Sequence, residues 1–407
     1  MANESKRVSR GSLLILLMTT LLSLGAAEWV ARLLPKNYYE WQHRYMFLSE
    51  DVVTNKTFAD GSSAQWYKPD QAINWAVFYG YPWQRPKQEY SIWSTTNNIG
   101  LVQAGDFEPG KDSIAIFGDS FTEPQATTPW FYALENHWKR LDPKQKSQLL
   151  NFGYQGTGIG RWDQISKNLS EPLNITKAVY VAIGQDFARL GRSGWNDRDL
   201  ACLSDAKSCK KNHYYQAIAG DEQDSAALEQ RTQLLMAKRN STLDKQLRYG
   251  LCGISELVRQ VASVIGSPCF DGKPPTNYQQ DLKVAVGHGL AHFKEQIERY
   301  GKNNVALVWI PERNEAATGT ISPISKKVLR VADVLLPKNH VIRCELGSND
   351  YYNKDGHQNE AGSRKIYSCV AQALALAQTN ASHGASEDGV NEGGHDRTLS
   401  KDNQGAH

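Results

Sequence analysis

The most apolar stretch of the chain lies near its N-terminus, from Leu13 to Ala27. Lys6, Arg7 and Arg10 precede it, and positive charge before an apolar segment holds that end in the cytoplasm. The pattern predicts a cytoplasmic tail over residues 1–10 and a single membrane-crossing helix over residues 11–34. The remaining chain would then lie on the periplasmic, extracytoplasmic side of the inner membrane.

Two interpretations of this segment remain open. Gly25 and Ala27 are small enough to precede a cleavage site, which is typical of a signal peptide. The helical pattern, however, continues through Val30 and Leu33 and ends only at Pro35, so that the segment approaches the roughly 20 residues of a bilayer span. An uncleaved membrane anchor is therefore the favoured interpretation.

From residue 111 onward, short apolar runs alternate with longer amphipathic stretches, as buried strands and one-sided helices do. Strands are predicted over 113–117, 148–152, 178–183, 304–310 and 340–344, and helices over 130–141, 278–300, 325–335 and 361–377. This alternation predicts an α/β fold, a three-layer sandwich around a central parallel sheet.

Three segments depart from that alternation. Residues 35–110 are rich in Trp, Tyr, Pro and Asn with little periodicity, which predicts a loop-rich lead-in to a domain over residues 111–378. An insertion at about residues 190–275 follows the third strand, and it predicts either a cap above the carboxyl edge of the sheet or a solvent-exposed decoration. Residues 379–407 contain almost no large apolar side chain and predict a disordered tail.

Composition narrows the classes of function. The net charge is only +3, without a basic stripe that interleaves with aromatic residues, so nucleic-acid binding is not expected. The chain has 11 Trp and 18 Tyr, and several of them cluster between Tyr38 and Trp93. Packing explains such a cluster most simply, while a carbohydrate-facing surface is the alternative.

The six Cys residues all follow residue 200, an even number that suits disulfides in an exported protein. Pairing of neighbours is the simplest of the possible arrangements, and it joins Cys202 to Cys209, Cys252 to Cys269, and Cys344 to Cys369. No pair has the close spacing of a zinc site, so the sequence predicts no metal and no cofactor.

The first candidate for chemistry is Ser120, in the sequence Gly118-Asp119-Ser120-Phe121 directly after a predicted strand. A serine where a parallel strand meets a helix has its hydroxyl at the carboxyl edge of the sheet, and the first N–H groups of the helix face a developing oxyanion. Capping of that helix by Asp119 or Ser120 is the structural alternative.

A candidate base lies far downstream, in Asp355-Gly356-His357 before the last predicted helix. A serine hydroxyl becomes a good nucleophile when a neighbouring base takes its proton, which His357 can do. Asp355 can orient the imidazole and stabilise its charged form. The alternative is that Asp355 and Asn359 merely cap the helix.

In these motifs the chain resembles the bacterial SGNH (GDSL-like) hydrolase superfamily, of the membrane-anchored type. Gly118-Asp119-Ser120-Phe121 resembles the nucleophile block, residues 151–158 the second block, and Asp355-Gly356-His357 the last. The resemblance implies an SGNH/flavodoxin-like sandwich and a Ser120–His357–Asp355 triad. It also implies an oxyanion hole from the N–H groups of Ser120 and Gly156.

The third block departs from the family pattern. Gln185 stands in Ile183-Gly184-Gln185-Asp186 where the family has Asn, so the donor amide is one methylene longer. The resemblance assigns Gln185 to the oxyanion hole, and loss of one such donor costs about 3 kcal/mol of transition-state stabilisation.

Three functions follow from these residues. The first is an ester hydrolase acting on an acylated small molecule or on acylated exported or envelope polysaccharide. The second is an O-acyltransferase with the same residues, and the third is a catalytically weak carbohydrate-binding or scaffold protein. The partners expected are the acylated substrate and, through the N-terminal helix, the membrane.

Overall fold

The computed structural model describes residues 10–34, 43–49, 51–81, 83–123, 127–142, 146–190, 216–218, 225–239, 242–265 and 278–383. The strands are β1 His43–Ser49, β2 Val53–Thr57, β3 Ser63–Tyr67, β4 Ala72–Gly80, β5 Lys87–Thr95, β6 Asp112–Gly118, β7 Ser147–Gly153, β8 Ile175–Ala182, β9 Gln216–Ile218, β10 Val305–Trp309 and β11 Val341–Arg343. The helices are α1 Arg10–Leu33, α2 Trp130–Leu141, α3 Ile159–Leu169, α4 Ser225–Arg239, α5 Leu243–Ile254, α6 Glu256–Ile265, α7 Tyr278–Tyr300, α8 Arg313–Thr318, α9 Pro323–Leu335 and α10 Glu360–His383.

A five-stranded parallel sheet forms the centre, in the order β11-β10-β8-β6-β7. Its strands are almost fully buried because helices cover both faces. Helices α3, α7 and α9 pack on one face, and α2 and α10 pack on the other. The predicted three-layer α/β sandwich is therefore confirmed, and each strand predicted from residue 111 onward is present.

The order of these strands locates a crevice. The chain goes from β6 to β7 on one side and then returns to β8 on the other side of β6. Open parallel sheets bind ligands at such a reversal, outside the carboxyl ends of the strands. The carboxyl end of β6 is Gly118, directly before Asp119 and Ser120.

The structure differs from the loop-rich lead-in predicted for residues 35–110. Strands β1, β4 and β5 pair antiparallel there, and β9 of the insertion adds in parallel to β1, which gives a second sheet in the order β5-β4-β1-β9. We call it the antiparallel sheet after its three long strands; β2 and β3 form a separate antiparallel hairpin. Strand β4 is buried from Ile73 to Gly80, with Trp75 packed on one side and Phe78 on the other. A strand covered on both faces shows no polar alternation, which is why its periodicity was invisible in the sequence.

The described part of the insertion packs against this second sheet. Strand β9 pairs with β1, and Leu228 of α4 joins the apolar cluster around Phe47 and Phe78. Cys252 of α5 and Ala262 of α6 form a cluster with the aromatic rings of Tyr81 and Trp83. Residues 191–215 and 266–277 lie outside the described residues, so the cap over the site stays a prediction.

Helix α1 is long and apolar enough to cross a membrane, and an 18-residue window between Gly11 and Leu33 has a mean hydropathy of 1.9. The predicted disulfide between Cys344 and Cys369 is present and ties β11 to α10. Cys252 is also disulfide-bonded, while the pairings predicted for Cys202, Cys209 and Cys269 fall outside the described residues. Helix α10 continues to His383, six residues beyond its predicted end and into the first part of the predicted tail.

Candidate active site

The turn after β6 presents Ser120 at the carboxyl edge of the sheet. Oδ1 of Asp119 accepts the N–H of Phe121 at 2.9 Å, and the Asp119 carbonyl accepts the N–H groups of Thr122 and Glu123. Gly118 is needed here, because a Cβ atom would come within 1.9 Å of the Thr122 hydroxyl. Asp119 therefore takes the local capping role, which leaves the Ser120 side chain available for another partner.

A loop before α10 carries His357 to this turn. The loop is closed by a bridge between Tyr351 and Gln358 and by the Tyr352 N–H, which donates to the His357 carbonyl at 3.0 Å. Nε2 of Gln358 donates to the Phe121 carbonyl at 3.1 Å, which joins the loop to the turn after β6, residues 119–123 (the nucleophile turn of the predicted motif). Asn359 caps α10 by accepting the N–H groups of the next turn, so Asp355 is not needed as a cap.

Ser120, His357 and Asp355 form a continuous hydrogen-bonded chain. Nε2 of His357 lies 2.6 Å from Oγ of Ser120, and Nδ1 lies 2.5 Å from Oδ1 of Asp355. The three residues are 7%, 9% and 2% exposed, so little water competes for these bonds. This is the arrangement in which an imidazole removes the hydroxyl proton while a carboxylate orients the ring.

The second oxygen of Asp355 contacts the antiparallel sheet. Oδ2 accepts a hydrogen bond from the Tyr90 hydroxyl at 2.8 Å and from Nη2 of Arg44 at 3.1 Å. Burial alone would raise the pKa of Asp355, but the charges of His357 and Arg44 hold it well below its usual value. Asp355 is therefore ionised, as the orienting carboxylate of a triad must be.

Sequence reasoning missed Arg44 and Tyr90. They lie 311 and 265 residues before Asp355, in a segment that carries none of the motifs. The available signal was indirect, since a buried carboxylate needs a hydrogen-bonding partner for each of its oxygens. That requirement gives no indication of where along the chain the partners lie.

Two backbone N–H groups are available for an oxyanion. Among the described residues, neither the Ser120 N–H nor the Gly156 N–H has a hydrogen-bond acceptor. Gly156 has a positive φ of 64°, a conformation that glycine adopts at little cost. The neighbouring Tyr154 N–H donates to the Gly118 carbonyl at 3.2 Å, which joins this turn to the end of β6.

The Gln185 side chain has a partner that the sequence did not indicate. Its Nε2 donates to Oε2 of Glu312, just after β10, at 2.8 Å. Burial, followed by the nearby charge of Glu315, raises the pKa of Glu312 to about 7. An amide nitrogen has two hydrogens, so one remains for a substrate oxygen. The assignment of Gln185 to the oxyanion hole stays a prediction.

Arg189 joins three of the motif blocks. Its Nη1 donates to Asp119 and to Asp186 at 2.6 Å each, and to the Thr157 carbonyl at 3.2 Å. Burial and the charge of Asp119 raise the pKa of Asp186, and the guanidinium opposes that shift. Arg189 therefore holds the nucleophile turn, the second block and the third block in one arrangement, a role that no motif pointed to.

A cluster of potential metal ligands lies outside this site, at Asp163, His292 and Glu295. The Lys167 ammonium lies 2.6 Å from Asp163 and 3.2 Å from Glu295, and His292 lies 3.1 Å from Asp163. The Lys167 ammonium already pairs with both carboxylates, and the Arg299 guanidinium lies 3.7 Å from Asp163, so we interpret the cluster as an ion-pair network between α3 and α7.

The aromatic residues of the lead-in that the structure describes, from Tyr45 onward, are mostly part of the core. Trp66, Tyr67, Trp75 and Tyr90 are all buried, while Trp93 is 54% exposed. Packing therefore accounts for the cluster between Tyr38 and Trp93 better than a carbohydrate-facing surface does.

No protein-family model and no curated protein sequence matches the chain. Solved structures are similar to it, among them the lipase/acylhydrolase from Enterococcus faecalis, at 12% identity over 65% of this chain and 95% of that one, with a TM-score of 0.31. The lipase Lip_vut3 from a goat rumen metagenome has 10% identity over 65% and 97%, with a TM-score of 0.29. A GDSL-like lipase candidate from Parabacteroides merdae has 12% identity over 67% and 100%, with a TM-score of 0.30. At such identities the role of each residue rests on the distances in the site itself.

Proposed function

We propose that the protein is a serine ester hydrolase whose nucleophile is Ser120, with His357 as its base and Asp355 as the orienting carboxylate. The observation that carries this proposal is the unbroken chain of hydrogen bonds from Ser120 Oγ to Asp355 at the carboxyl end of β6. The N–H groups of Ser120 and Gly156, which have no acceptor within the part of the chain that the structure describes, support it.

The reaction would proceed through an acyl-enzyme. Ser120 Oγ attacks the ester carbonyl carbon while His357 Nε2 takes the hydroxyl proton, and the carbonyl oxygen becomes an oxyanion facing the two N–H groups. The imidazolium, stabilised by Asp355, then gives its proton to the departing alcohol oxygen. Water, activated by the same nitrogen, releases the acid from Ser120.

The substrate we propose is an acyl ester, with acetylated exported or envelope carbohydrate as the favoured class. Support comes from location, because α1 can cross a membrane and basic residues precede it. The disulfide between Cys344 and Cys369 agrees with an oxidising compartment. The names of the similar structures, lipase and acylhydrolase, also describe proteins that act on acyl groups.

Acyl transfer to a sugar hydroxyl is the second candidate. The three triad residues are each less than 10% exposed, which limits the access of water to an acylated Ser120. A protected acyl-enzyme favours an alcohol that is bound specifically over water. The hydrogen bonds that join Ser120, His357 and Asp355 argue against the third candidate, a binding protein without turnover.

Mass spectrometry of Ser120 tests the proposal. The purified full chain is incubated with a chromogenic acetyl ester, with and without a sugar acceptor. Acetylation of Ser120 is expected, and Ser120→Ala should abolish both the acetyl adduct and fluorophosphonate labelling. Ser368→Ala, which removes an exposed hydroxyl on α10, is the matched control and should keep full activity. Unchanged turnover by Ser120→Ala would refute the proposed nucleophile.

The acceptor arm of the same experiment separates hydrolase from transferase. Acetate release that is unaffected by the sugar indicates hydrolysis. Appearance of acetylated sugar at the expense of acetate indicates transfer.

We also propose that α1 is retained as an anchor and that the catalytic domain lies outside the cytoplasm. Ala31 is buried, and Glu28 accepts hydrogen bonds from α6, so the last turns of α1 belong to the folded structure. A periplasm-dependent reporter fused after His407 should be active. A mature protein that begins at Glu28 would show cleavage and contradict the anchor while keeping export.

A further inference from the structure

Helix α5 has large apolar side chains on its outward side as well as on the side that packs against the protein. Tyr249 and Cys252 face the protein and are 3% and 0% exposed. Four large aliphatic side chains face outward, spaced four, four and three residues apart along one side of the helix. This leucine stripe consists of Leu243, Leu247, Leu251 and Ile254, which are 71%, 64%, 56% and 74% exposed. Single exposed leucines are ordinary, but a continuous stripe marks a surface that contacts something apolar.

The stripe ends beside the membrane-crossing helix. Ile254 is the last residue of α5, and Ser255 connects it directly to α6. The Glu28 carboxylate of α1 accepts hydrogen bonds from the Ser255 hydroxyl and the Glu256 N–H, both at 2.9 Å, and from the Leu257 N–H at 3.0 Å. The end of α5 is therefore fixed to the part of α1 where its apolar run gives way to charge.

The groove between α1 and α6 is also apolar. Ala27 and Val30 of α1, with Leu34 directly after that helix, face Leu257 and Val261 of α6 across the groove. Val30 and Val261 are half exposed. The apolar surface thus continues from α1 across α6, whose N-terminus follows the stripe on α5.

We propose that α5 and α6 form a membrane-surface contact, in which the leucine stripe inserts into the lipid leaflet from which α1 emerges. Helix α1 is apolar and exposed on nearly all sides, so its own surroundings must be lipid if it crosses the bilayer. An amphipathic helix held at the exit of such an anchor lies at the depth where interfacial helices bury their apolar face. Continuity with α1 favours lipid over a second protein copy as the occupant.

This contact would fix the catalytic domain relative to the membrane. The Arg259 guanidinium of α6 lies 5.6 Å from the centre of the Trp83 ring, and Tyr81 stacks on Trp83 at 4.8 Å. Both aromatic residues follow β4, in the sheet whose Arg44 and Tyr90 contact Asp355. A helix seated in the leaflet would therefore hold the site at a set height and orientation, in addition to the tether that α1 provides.

Photolabelling from lipid tests the contact. The full chain is reconstituted into phosphatidylcholine vesicles that contain a phospholipid with a diazirine in its acyl chain, and labelled peptides are identified after irradiation. Label is expected on α1 and on the α5 peptide. Val334 of α9, which is 80% exposed, provides the matched aliphatic control and should remain unlabelled. Label on α1 without label on α5 would overturn the proposal.

A paired variant sharpens the result. Leu247→Ser with Leu251→Ser should lower labelling of α5 at least about fivefold, because two apolar side chains no longer favour the leaflet. Labelling of α1 and cleavage of a soluble chromogenic ester should stay unchanged, which shows that the variant is folded. Val334→Ser should alter none of these readouts. Crosslinks that join α5 to a second copy of the chain, in place of lipid, would contradict the proposal.

Discussion

The parallel and the antiparallel sheet meet at one carboxylate, Asp355, and they contribute to it in different ways. The parallel sheet, through the turn after β6, supplies Ser120, the proposed nucleophile, whose hydroxyl lies on the far side of His357 from Asp355. The antiparallel sheet supplies Arg44 and Tyr90, which contact only the outer oxygen of Asp355.

The two sheets therefore have different roles in the proposed site: the parallel sheet positions the proposed nucleophile, and the antiparallel sheet controls the charge of Asp355. In the proposed reaction, the turn at the end of the parallel sheet would supply the hydroxyl that gives up its proton to His357. The antiparallel sheet holds a cation next to the carboxylate, which keeps Asp355 ionised and would also oppose the positive charge that His357 gains. The second sheet is thus part of the site, and removing its contacts should alter the reaction without eliminating it.

Replacement of the shared carboxylate should have the largest effect. Asp355→Asn should lower kcat/KM for an acetyl ester by about 10⁴-fold, because the amide no longer stabilises the imidazolium and can favour the wrong tautomer. Asp350→Asn is the matched control, since Asp350 belongs to the same loop but pairs with Lys365. Equal losses in both variants would mean that loop structure, and not the charge of Asp355, carries the effect.

Replacement of Gln185, in the third sequence block, should have the second-largest effect on turnover. Gln185→Ala should lower kcat by about 10²-fold with little change in KM, because an oxyanion donor acts on charge that develops only in the transition state. Glu312→Gln should have a smaller effect, since Gln185 keeps a partner there. A lower melting temperature with unchanged kcat would remove Gln185 from the oxyanion hole.

The contacts of the antiparallel sheet should have a moderate effect. Arg44→Met should change kcat/KM by about tenfold, the result of losing one charge interaction near the site. Tyr90→Phe removes a hydrogen bond without a charge and should change kcat/KM less. Equal changes in both variants would point to a steric cause.

How much the sequence revealed differs between the two sheets for a physical reason. The strand ending at Gly118 and the Asp355-Gly356-His357 loop were predictable, because the residues that identify each of them are adjacent in the sequence. Arg44 was not, since its partner is 311 residues away and only the tertiary fold brings the two together. Strand β4 lacked alternation because it is buried on both faces. The Gln185 departure was visible in the sequence, whereas its partner Glu312 was not.

A second acid joins the turn after β6 to the β2–β3 hairpin, and it makes no hydrogen bond to Ser120, His357 or Asp355 among the described residues. Glu123 ends the nucleophile turn, and its carboxylate accepts hydrogen bonds from the Tyr67 hydroxyl of β3 and from the Gln155 N–H. Burial raises the pKa of Glu123 from 4.5 to about 7, although these hydrogen bonds and the charge of Arg161 act in the opposite direction. The ionisation of Glu123 should therefore affect the stability of this contact far more than turnover.

Glu123→Gln should change turnover least and the pH dependence of stability most. In the unfolded chain Glu123 loses its proton above pH 4.5, while in the folded chain it keeps it to about pH 7. Between pH 4.5 and 7 the folded state therefore binds more protons than the unfolded state, so the stability of the fold decreases as the pH rises. The whole of this destabilisation is present above about pH 7. The glutamine variant lacks this pH-dependent loss. Between pH 5 and 8 its free energy of unfolding should therefore rise relative to that of the wild type by up to about 3 kcal/mol, at about 1.4 kcal/mol per pKa unit. Urea unfolding at several pH values measures the difference, and parallel curves for the two proteins would show that Glu123 does not titrate in this range.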